Sequence, residues 1–219
     1  MIVKSFENLH EALKKFVGKQ VIYRGVRDSE KHVLVSKLGR LPLKAGRTLD
    51  KEEKTILRLF KQQSRPYLEW LPSDDWEWLA LAQHYGLPTR LLDWTRNPLV
   101  AAFFAVEKEH DGNSAIFVYK IPAYINTDVN KDPFKFGRIG KFIPTHITRR
   151  IAAQAGLFTI HPRPAEELTS KAIEKIIIHN DARKPIKYIL YSYGIHRASL
   201  FLDLDGLAKH ITWLRSNIY

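Results

Sequence analysis

The sequence predicts a mixed α+β domain, with helices dominating the first half and strands interleaved with helices in the second. Apolar residues repeat at helical spacing in the early segments, whereas short continuous apolar runs, typical of buried strands, come later. The apolar content of 45% is ample for a packed core. Because the 219 residues contain no repeat, low-complexity tract or long linker, we expect one domain over 1–219.

Start and stop signals define the predicted helices. A Ser, Asp or Asn side chain before an apolar periodic run can cap the first backbone N–H groups, and a glycine just past the run can end it. The second helix is expected to reach Phe60 and the third to end at Gly86, while Pro98 holds the favoured first position of the fourth. A last amphipathic helix is predicted within 199–213. The predicted N-caps are Ser5, Asp50, Ser73 and Asn97.

Apolar runs with β-branched and aromatic residues define the predicted strands. The first run is expected to end at Gly25, and segment 186–191 fits either a helix or a strand. Segments 33–48 and 122–144 are predicted to be mainly loop, the latter with a short strand or helix piece. The predicted strands are 20–24, 89–95, 115–121, 155–161 and 174–179.

The chain is basic, with 35 Lys and Arg against 23 Asp and Glu and a net charge of +12. A positive excess of this size favours an anionic partner such as nucleic acid, a nucleotide or an acidic protein. The basic residues are dispersed, however, and a solvated surface would produce the same pattern. Charge alone leaves both interpretations open.

Several chemistries are excluded by what the sequence lacks. Without cysteine there is no disulfide, thiolate metal site or cysteine nucleophile. The nine histidines include no i,i+4 pair, and no P-loop, Gly-x-Gly-x-x-Gly or Gly-x-Ser-x-Gly motif occurs. Asp203 and Asp205 could ligate Mg²⁺, but they fit better as residues of the turn entering the last helix. We therefore expect no metal site.

Hydropathy gives no indication of a membrane or secreted protein. No apolar run approaches the roughly 18 residues that a membrane span needs. The first residues lack the charged leader, apolar stretch and small-residue cleavage site of a secretory signal. A cytoplasmic location without membrane attachment is the expectation.

Residues 83–95 (QHYGLPTRLLDWT) form the most informative stretch of the chain. They place a histidine, an arginine, an aspartate and two threonines next to a strongly apolar segment that follows at 97–105. Ionisable groups are costly to bury unless paired, so this composition predicts either a lined cleft or a buried polar network.

Together with two further motifs, this stretch resembles the FRG domain family. Those motifs are Tyr23, Arg24 and Gly25 near the start, and the run from Gln154 to Phe158 later. The resemblance continues through the 52–60 helix, the approach at 80–84, and the closing segments 194–196 and 200–206. It covers nearly the whole chain.

The order of these motifs is also similar to that of the ADP-ribosyltransferase fold. In that fold a first strand carries an Arg or His that grips NAD, a second strand ending in a hydroxyl residue leads into an Ala-x-x-Phe-Ala helix, and a late strand carries the catalytic acid. The similarity implies a mixed or antiparallel split sheet flanked by helices, with NAD as the substrate cofactor. It implies His84, Asp93 and Gln154 as catalytic residues. The implied NAD-binding residues are Tyr23, Arg24, Gly25, Tyr85, Thr89, Arg90, Trp94, Thr95 and Phe158.

The first-strand motif and its partner residues can be interpreted in two ways. Arg24 offers a bidentate fork for a phosphate, or it ties its strand to a carboxylate such as Asp93. Gly25 lets a ligand approach the backbone closely, or it makes an ordinary turn. His84 acts as a base or hydrogen-bonds a ribose hydroxyl, or it braces the following loop.

The remaining motif residues also carry two interpretations. Asp93 is the only acid in the motif, and it could orient His84, pair with Arg24 or Arg90, or stabilise an oxocarbenium cation. The two threonines bind the nicotinamide amide, or Thr95 caps the next helix. Aromatic residues such as Tyr85 and Trp94 stack on a ligand ring or belong to the core.

Gln154 departs from the transferase pattern, which expects glutamate at this place. An amide can hold a ribose hydroxyl but cannot accept a proton, so base function would pass to His84, Asp93 or the acceptor. The resemblance therefore implies an NAD-dependent ADP-ribosyltransferase acting on nucleic acid or protein, as in toxin action or phage defence. A non-catalytic nucleic-acid-binding module is the alternative, and a metal-dependent nuclease is a weaker one because clustered carboxylates are lacking.

Overall fold

A computed structural model describes residues 1–120, 123–145, 148–216 and 219. Within these ranges it contains eight α-helices and seven strands. Those of the first half are β1 (Ile2–Val3), α1 (Phe6–Lys14), β2 (Val21–Val26), α2 (Leu49–Ser64), α3 (Asp75–His84), β3 (Leu91–Thr95) and α4 (Pro98–Val106). Those of the second half are β4 (Ser114–Lys120), β5 (Gly140–Phe142), α5 (Arg149–Ala153), β6 (Gly156–Ile160), β7 (Ile173–Ile178), α6 (Asn180–Ser192), α7 (Arg197–Leu200) and α8 (Leu204–Arg215). Short 3₁₀ turns occupy Leu38–Arg40, Arg65–Tyr67 and Pro133–Lys135.

The strands form one mixed sheet in the order β1-β7-β4-β2-β3-β6-β5. Every pairing is antiparallel except that of β1 with β7. The expected mixed α and β content is confirmed, with helices flanking a largely antiparallel sheet.

The sheet opens between its two central strands. β2 pairs with β4 from Val21 to Val26, but it pairs with β3 only at Tyr23 and Thr95. β3 in turn pairs along its whole length with β6. The strands therefore separate beyond Tyr23 and Thr95, next to the position of Arg24.

Two apolar cores lie on the face of the sheet that carries Tyr23 and Leu91. The first joins Tyr23 to buried residues of α1, α4 and α6, and the second joins Leu91 to buried residues of α3. A third core on the opposite face includes Leu92 and Trp94. Within the described ranges, no helix is both long enough and apolar enough to span a bilayer.

Two of the four predicted helix caps are confirmed and two are wrong by one or two residues. Ser5 and Asn97 accept hydrogen bonds from backbone N–H groups of α1 and α4. Thr48, not Asp50, precedes α2, so Asp50 lies inside its first turn. Asp74, not Ser73, caps α3.

The predicted cap of α3 failed because two neighbouring residues can both cap. The Asp74 carboxylate accepts from the backbone N–H of Glu77, whereas the Ser73 N–H and hydroxyl both donate to the Glu77 carboxylate. Gly86 follows α3 with a φ of 83°, as expected of a glycine just beyond a helix end.

Three strand expectations need correction or restriction. Gly25 does not end β2, because the strand continues to Val26. Segment 186–191 is helical and lies within α6. β4 covers the predicted strand up to Lys120, while the expected end at Ile121 lies outside the described residues. Pro122, the expected start of the next loop, also lies outside them.

Candidate functional site

Asp93 is the one exposed residue of a buried central strand. Its four neighbours in β3 are buried, whereas the Asp93 side chain is 56% exposed. Leu91, Asp93 and Thr95 point to the same face of the sheet. Leu91 belongs to one apolar core of that face, and Thr95 pairs with Tyr23 of the other core, so Asp93 lies between the two. A carboxylate on a central strand between two apolar cores marks a cleft rather than a solvated edge.

Arg24 reaches Asp93 across the opening of the sheet. Its Nη1 donates to the Asp93 carbonyl oxygen at 2.6 Å and lies 3.6 Å from the carboxylate Oδ2. Burial lowers the pKa of the Arg24 guanidinium, and the charge of Asp93 raises it. This geometry corresponds to the ion-pair interpretation of Arg24. Its other N–H groups form no hydrogen bond within the described residues and could contact a ligand.

Gln83 and Thr89 hold the Asp93 carboxylate in place. Gln83 Nε2 donates to Asp93 Oδ2 at 2.8 Å, and the Thr89 hydroxyl donates to Gln83 Oε1 at 2.6 Å. The Thr89 oxygen also accepts from the backbone N–H of Leu91 at 3.1 Å. Thr89 therefore orients Gln83, which sequence analysis did not select. An amide immediately before His84 at the end of an otherwise apolar helix is the signal that could have identified it.

His84 lies at the end of α3, half-buried on the rim of the cleft. Its Nδ1 is 3.4 Å from the Thr148 hydroxyl, and its ring meets the ring of Tyr85 edge-on at 4.9 Å. Burial lowers the pKa of His84, as does the nearby charge of Arg150, while Asp93 and Asp203 oppose the shift. His84 is therefore mainly neutral at neutral pH, the form that can accept a proton.

Gln154 joins the cleft through the peptide backbone and not from a strand. It caps the C-terminus of α5, so its predicted place on a late strand is wrong. Ala155, with a φ of 46°, makes the turn into β6. The Gln154 carbonyl accepts from the Thr95 hydroxyl at 2.6 Å, and its side-chain amide donates to the Leu200 carbonyl at 2.9 Å. Among the described residues, no group donates to the side-chain oxygen of Gln154, so this oxygen could accept from a ligand.

Thr95 does not cap α4, because Asn97 is the N-cap of that helix; Thr95 instead holds the turn before it. Its hydroxyl oxygen accepts from the backbone N–H of Asn97 at 3.0 Å and donates to Gln154. The residue therefore links the end of β3 to the starts of α4 and β6. A hydroxyl with both functions occupied is a positioning group for the cleft.

Arg150 and Asp203 complete the cleft, and sequence analysis assigned neither of them to it. The Arg150 guanidinium lies 4.2 Å from the ring centre of Phe201. Burial lowers the pKa of Arg150, whereas Asp203 and Asp93 raise it. These two residues come from α5 and from the N-cap of α8, and no local motif connects either of them with residues 83–95.

Three predicted NAD-binding residues have structural roles. The Arg90 guanidinium is buried and contacts both carboxylate oxygens of Glu53. Trp94 is buried, and its Nε1 donates to the Thr159 hydroxyl. Phe158 is buried against Phe142. These side chains are almost completely buried, so they have too little surface to contact a ligand ring or phosphate. Trp94 and Phe158 are core residues.

The first-strand motif also has a structural component. A Cβ on Gly25 would lie 1.8 Å from the Ala101 carbonyl oxygen, so the glycine allows α4 to pack directly on β2. The close approach is that of a helix, where the sequence suggested a ligand or a turn. Tyr23 is buried in the core beneath α4. Tyr85, by contrast, is 66% exposed beside His84 and could stack on a ligand.

The described residues contain no group of three or more His, Asp or Glu arranged to hold a metal ion. Asp203 instead caps α8 by accepting from the Gly206 N–H at 2.6 Å. The structure thus defines an α/β protein with one open sheet and a polar cleft beside its central strand. The cleft residues are Arg24, Gln83, His84, Asp93, Arg150, Gln154 and Asp203.

Comparison with known families finds one match, to part of the chain. A sequence model of the FRG domain matches residues 19–114, which supports the FRG resemblance. No curated protein and no solved structure matches the chain. The matched range contains Arg24, His84 and Asp93, whereas Arg150, Gln154 and Asp203 lie beyond it. The cleft therefore combines residues from the matched segment with residues from outside it, which folding brings together.

Proposed function

We propose that the cleft binds NAD and that the protein transfers ADP-ribose from it to a nucleic-acid or protein acceptor. The observation that carries the proposal is the Asp93 carboxylate, exposed on a buried central strand and held by Gln83. Breaking the bond between ribose and nicotinamide leaves positive charge on the ribose. A fixed carboxylate in a partly desolvated cleft stabilises that charge more than it stabilises the ground state.

The cleft residues fit the parts of NAD that they would have to hold. Arg24 retains N–H donors for a pyrophosphate, and the exposed Tyr85 ring can stack on a flat ring. The side-chain oxygen of Gln154 can accept from a ribose hydroxyl. Arg90, Trp94 and Phe158 leave the proposed set because they are committed to the interior.

The proposed transfer balances without a further reactant. The glycosidic bond breaks, nicotinamide leaves with the electron pair, and the acceptor nucleophile forms the new bond to the ribose carbon. Neutral His84 takes the proton that the nucleophile gives up, a function that the Gln154 amide cannot perform. The net charge of +12 favours nucleic acid as the acceptor, with protein side chains next. A role in toxin action or phage defence is part of the same proposal.

The test combines calorimetric titration of NAD with a nicotinamide-release assay, in the presence of candidate DNA, RNA and protein acceptors. Asp93→Asn keeps the side-chain shape and removes its charge, so turnover should fall by about 100-fold or more while NAD affinity changes little. Asp128→Asn, at an exposed loop position, is the matched control and should behave like wild type. Wild-type protein that neither binds NAD nor releases nicotinamide would exclude the proposal.

A non-catalytic nucleic-acid-binding module is the second candidate, favoured by the basic composition. Such a module would contact phosphates through Lys and Arg and stack bases on exposed aromatics. Its affinity should fall steeply with salt, and Asp93→Asn should leave it unchanged or slightly increase it. The same titrations distinguish the two candidates. A metal-dependent nuclease remains the weakest proposal, since it needs clustered carboxylates.

A further inference from the structure

A second cavity lies away from β3, where the end of α4 meets α6, α7 and α8. It has a volume of 460 Å³, within the range of small-molecule sites. Its lining exposes more apolar than polar surface, although it also includes charged side chains such as Glu109, Arg197 and Lys209. The residues used below are Glu107, Lys187, Tyr191, His196, His210 and Trp213.

One wall of this cavity is a series of flat rings. The rings of His196 and His210 stack at 4.2 Å with 9° between their planes, and His210 stacks with Trp213 at 6.0 Å. Tyr191 lies 5.7 Å from His210. Burial lowers the pKa of both histidines, so the stacked pair is uncharged near neutral pH and does not repel itself. Flat neutral rings of this kind bind planar ligands by stacking.

Lys187 supplies positive charge beside that wall. Its Nζ donates to the Glu107 carbonyl oxygen at 2.8 Å and lies 5.0 Å from the centre of the Trp213 ring. No carboxylate among the described residues pairs with it, whereas the Glu107 carboxylate is itself paired with Arg197. An ammonium group has three donors, and one of those of Lys187 makes a hydrogen bond. The ammonium also faces the Tyr219 ring, whose centre lies 4.6 Å from Nζ.

The surroundings of Lys187 favour an added anion. Burial lowers the pKa of Lys187 to about 8, and the neighbouring Arg183 and Lys184 act in the same direction. Glu107 and Glu109 oppose the shift but do not cancel it. A partly desolvated ammonium without a carboxylate partner gains more from an incoming anion than an exposed lysine does.

We propose that this cavity is a second ligand site, which binds a planar aromatic anion. The ring would pack against Trp213 and Tyr191, which are more exposed than the buried His210, and its carboxylate, sulfonate or phosphate group would pair with the Lys187 ammonium. The site is separate from the proposed NAD cleft, because its rings and its cation come from α6, the N-cap of α7 and α8, and not from β2 or β3. The inference therefore does not depend on the proposed transferase activity.

The test uses naphthalenesulfonate as the anionic probe and naphthalenemethanol as the neutral probe, both measured by calorimetry and fluorescence. Lys187→Met should weaken naphthalenesulfonate by about ten-fold or more and leave naphthalenemethanol unchanged. Lys184→Met, on the exposed side of the same helix, is the matched control. Trp213→Leu should weaken both probes, and Asp93→Asn should affect neither.

Three measurements use only the wild-type protein, so their results do not depend on whether a variant folds. Bound naphthalenesulfonate should protect Lys187 from reductive methylation, as read by mass spectrometry of its peptide. Affinity should be constant below pH 7 and fall as the pH rises through about 8, because the anion needs the charged amine. Displacement of the probe by AMP or by an aryl carboxylate distinguishes a nucleotide ligand from an aromatic acid.

Four outcomes would overturn the proposal, three of them in the binding measurements. They are failure of the wild type to bind naphthalenesulfonate, equal affinity in Lys187→Met and wild type, and an equal loss in Lys184→Met. Unprotected Lys187 in the saturated complex would do the same, because the charge contact would then lie elsewhere.

Discussion

Arg90 and Arg24 both pair with an acidic residue beside the central strands, yet the two pairs differ in almost every physical respect. The Arg90 and Glu53 side chains are only 4% and 1% exposed, with two N–H groups on the two carboxylate oxygens. The Arg24 and Asp93 side chains are 22% and 56% exposed, and their charged groups are 3.6 Å apart. The first pair is closed to solvent and the second is open.

This difference indicates which arginine can serve a ligand. A fully desolvated pair cannot release one partner without leaving a bare charge in the interior. A half-exposed pair at 3.6 Å can exchange its contacts with an incoming anion or with water at small cost. The same residue type is therefore structural in Arg90 and available for function in Arg24.

The largest expected effect is on the closed pair. Glu53→Gln removes one charge and leaves the buried Arg90 guanidinium uncompensated, so the free energy of unfolding should fall by about 3–5 kcal/mol. Urea denaturation followed by tryptophan fluorescence measures it. The neighbouring Glu52→Gln is the matched control, because its partner Arg47 lies on the surface and its loss should amount to less than about 1 kcal/mol. Equal losses in the two variants would mean that the closed pair is not special.

A second expected effect extends the comparison to two histidines. His161 is buried and its pKa is lowered from 6.5 to about 4, chiefly by burial and then by the charge of Arg24. The unfolded chain therefore binds more protons between these pH values. The free energy of unfolding should therefore be highest above pH 6.5 and should fall by about 3 kcal/mol as the pH is lowered to 4.

The measurement for His161 is a series of urea unfolding curves between pH 4 and 7.5. The Thr159 hydroxyl lies 2.8 Å from His161 Nε2, and His161→Gln keeps a polar side chain beside it. This variant should remove most of the slope of the unfolding free energy against pH. His84→Gln serves as the comparison from the open cleft and should remove less, because His84 is only half-buried. A slope that survives in His161→Gln would assign the acid sensitivity to other groups.

The smallest expected effect on stability is at the open pair. Arg24→Ala should lower the free energy of unfolding by only about 1 kcal/mol, while NAD affinity, under the proposed function, falls by roughly 2–4 kcal/mol. Thermal unfolding and calorimetric titration measure the two quantities on the same samples. Arg40→Ala removes an exposed charge near Arg24 and controls for general electrostatic attraction. If Arg24→Ala fails to fold, the structural interpretation of this arginine is the correct one.

Local signals predicted the elements of the fold better than their limits. The runs that became β3, β6 and β7 were identified because strand composition and burial act over a few residues. The cap at Ser73 was misplaced because the adjacent Asp74 can also cap, and it is Asp74 that accepts from the backbone N–H of Glu77. The cap at Asp50 was misplaced because α2 begins at Leu49, directly after Thr48. The apolar spacing of segment 186–191 fits either a helix or a strand, and in the structure the segment belongs to α6, which packs against α4.

The sequence by itself determined the motif around Arg24, the motif at 83–95 and the mixed α and β content of the fold. It also determined that several ionisable side chains could be buried only if they found partners. Only the tertiary structure decided which partners they found. Arg24 and Asp93 meet because β2 and β3 pair at a single position and then separate. Arg90 is removed from the cleft by Glu53, 37 residues away in the chain. Long-range pairing of this kind depends on strand order and helix packing, which no local pattern encodes, and it assigned the two arginines to opposite roles.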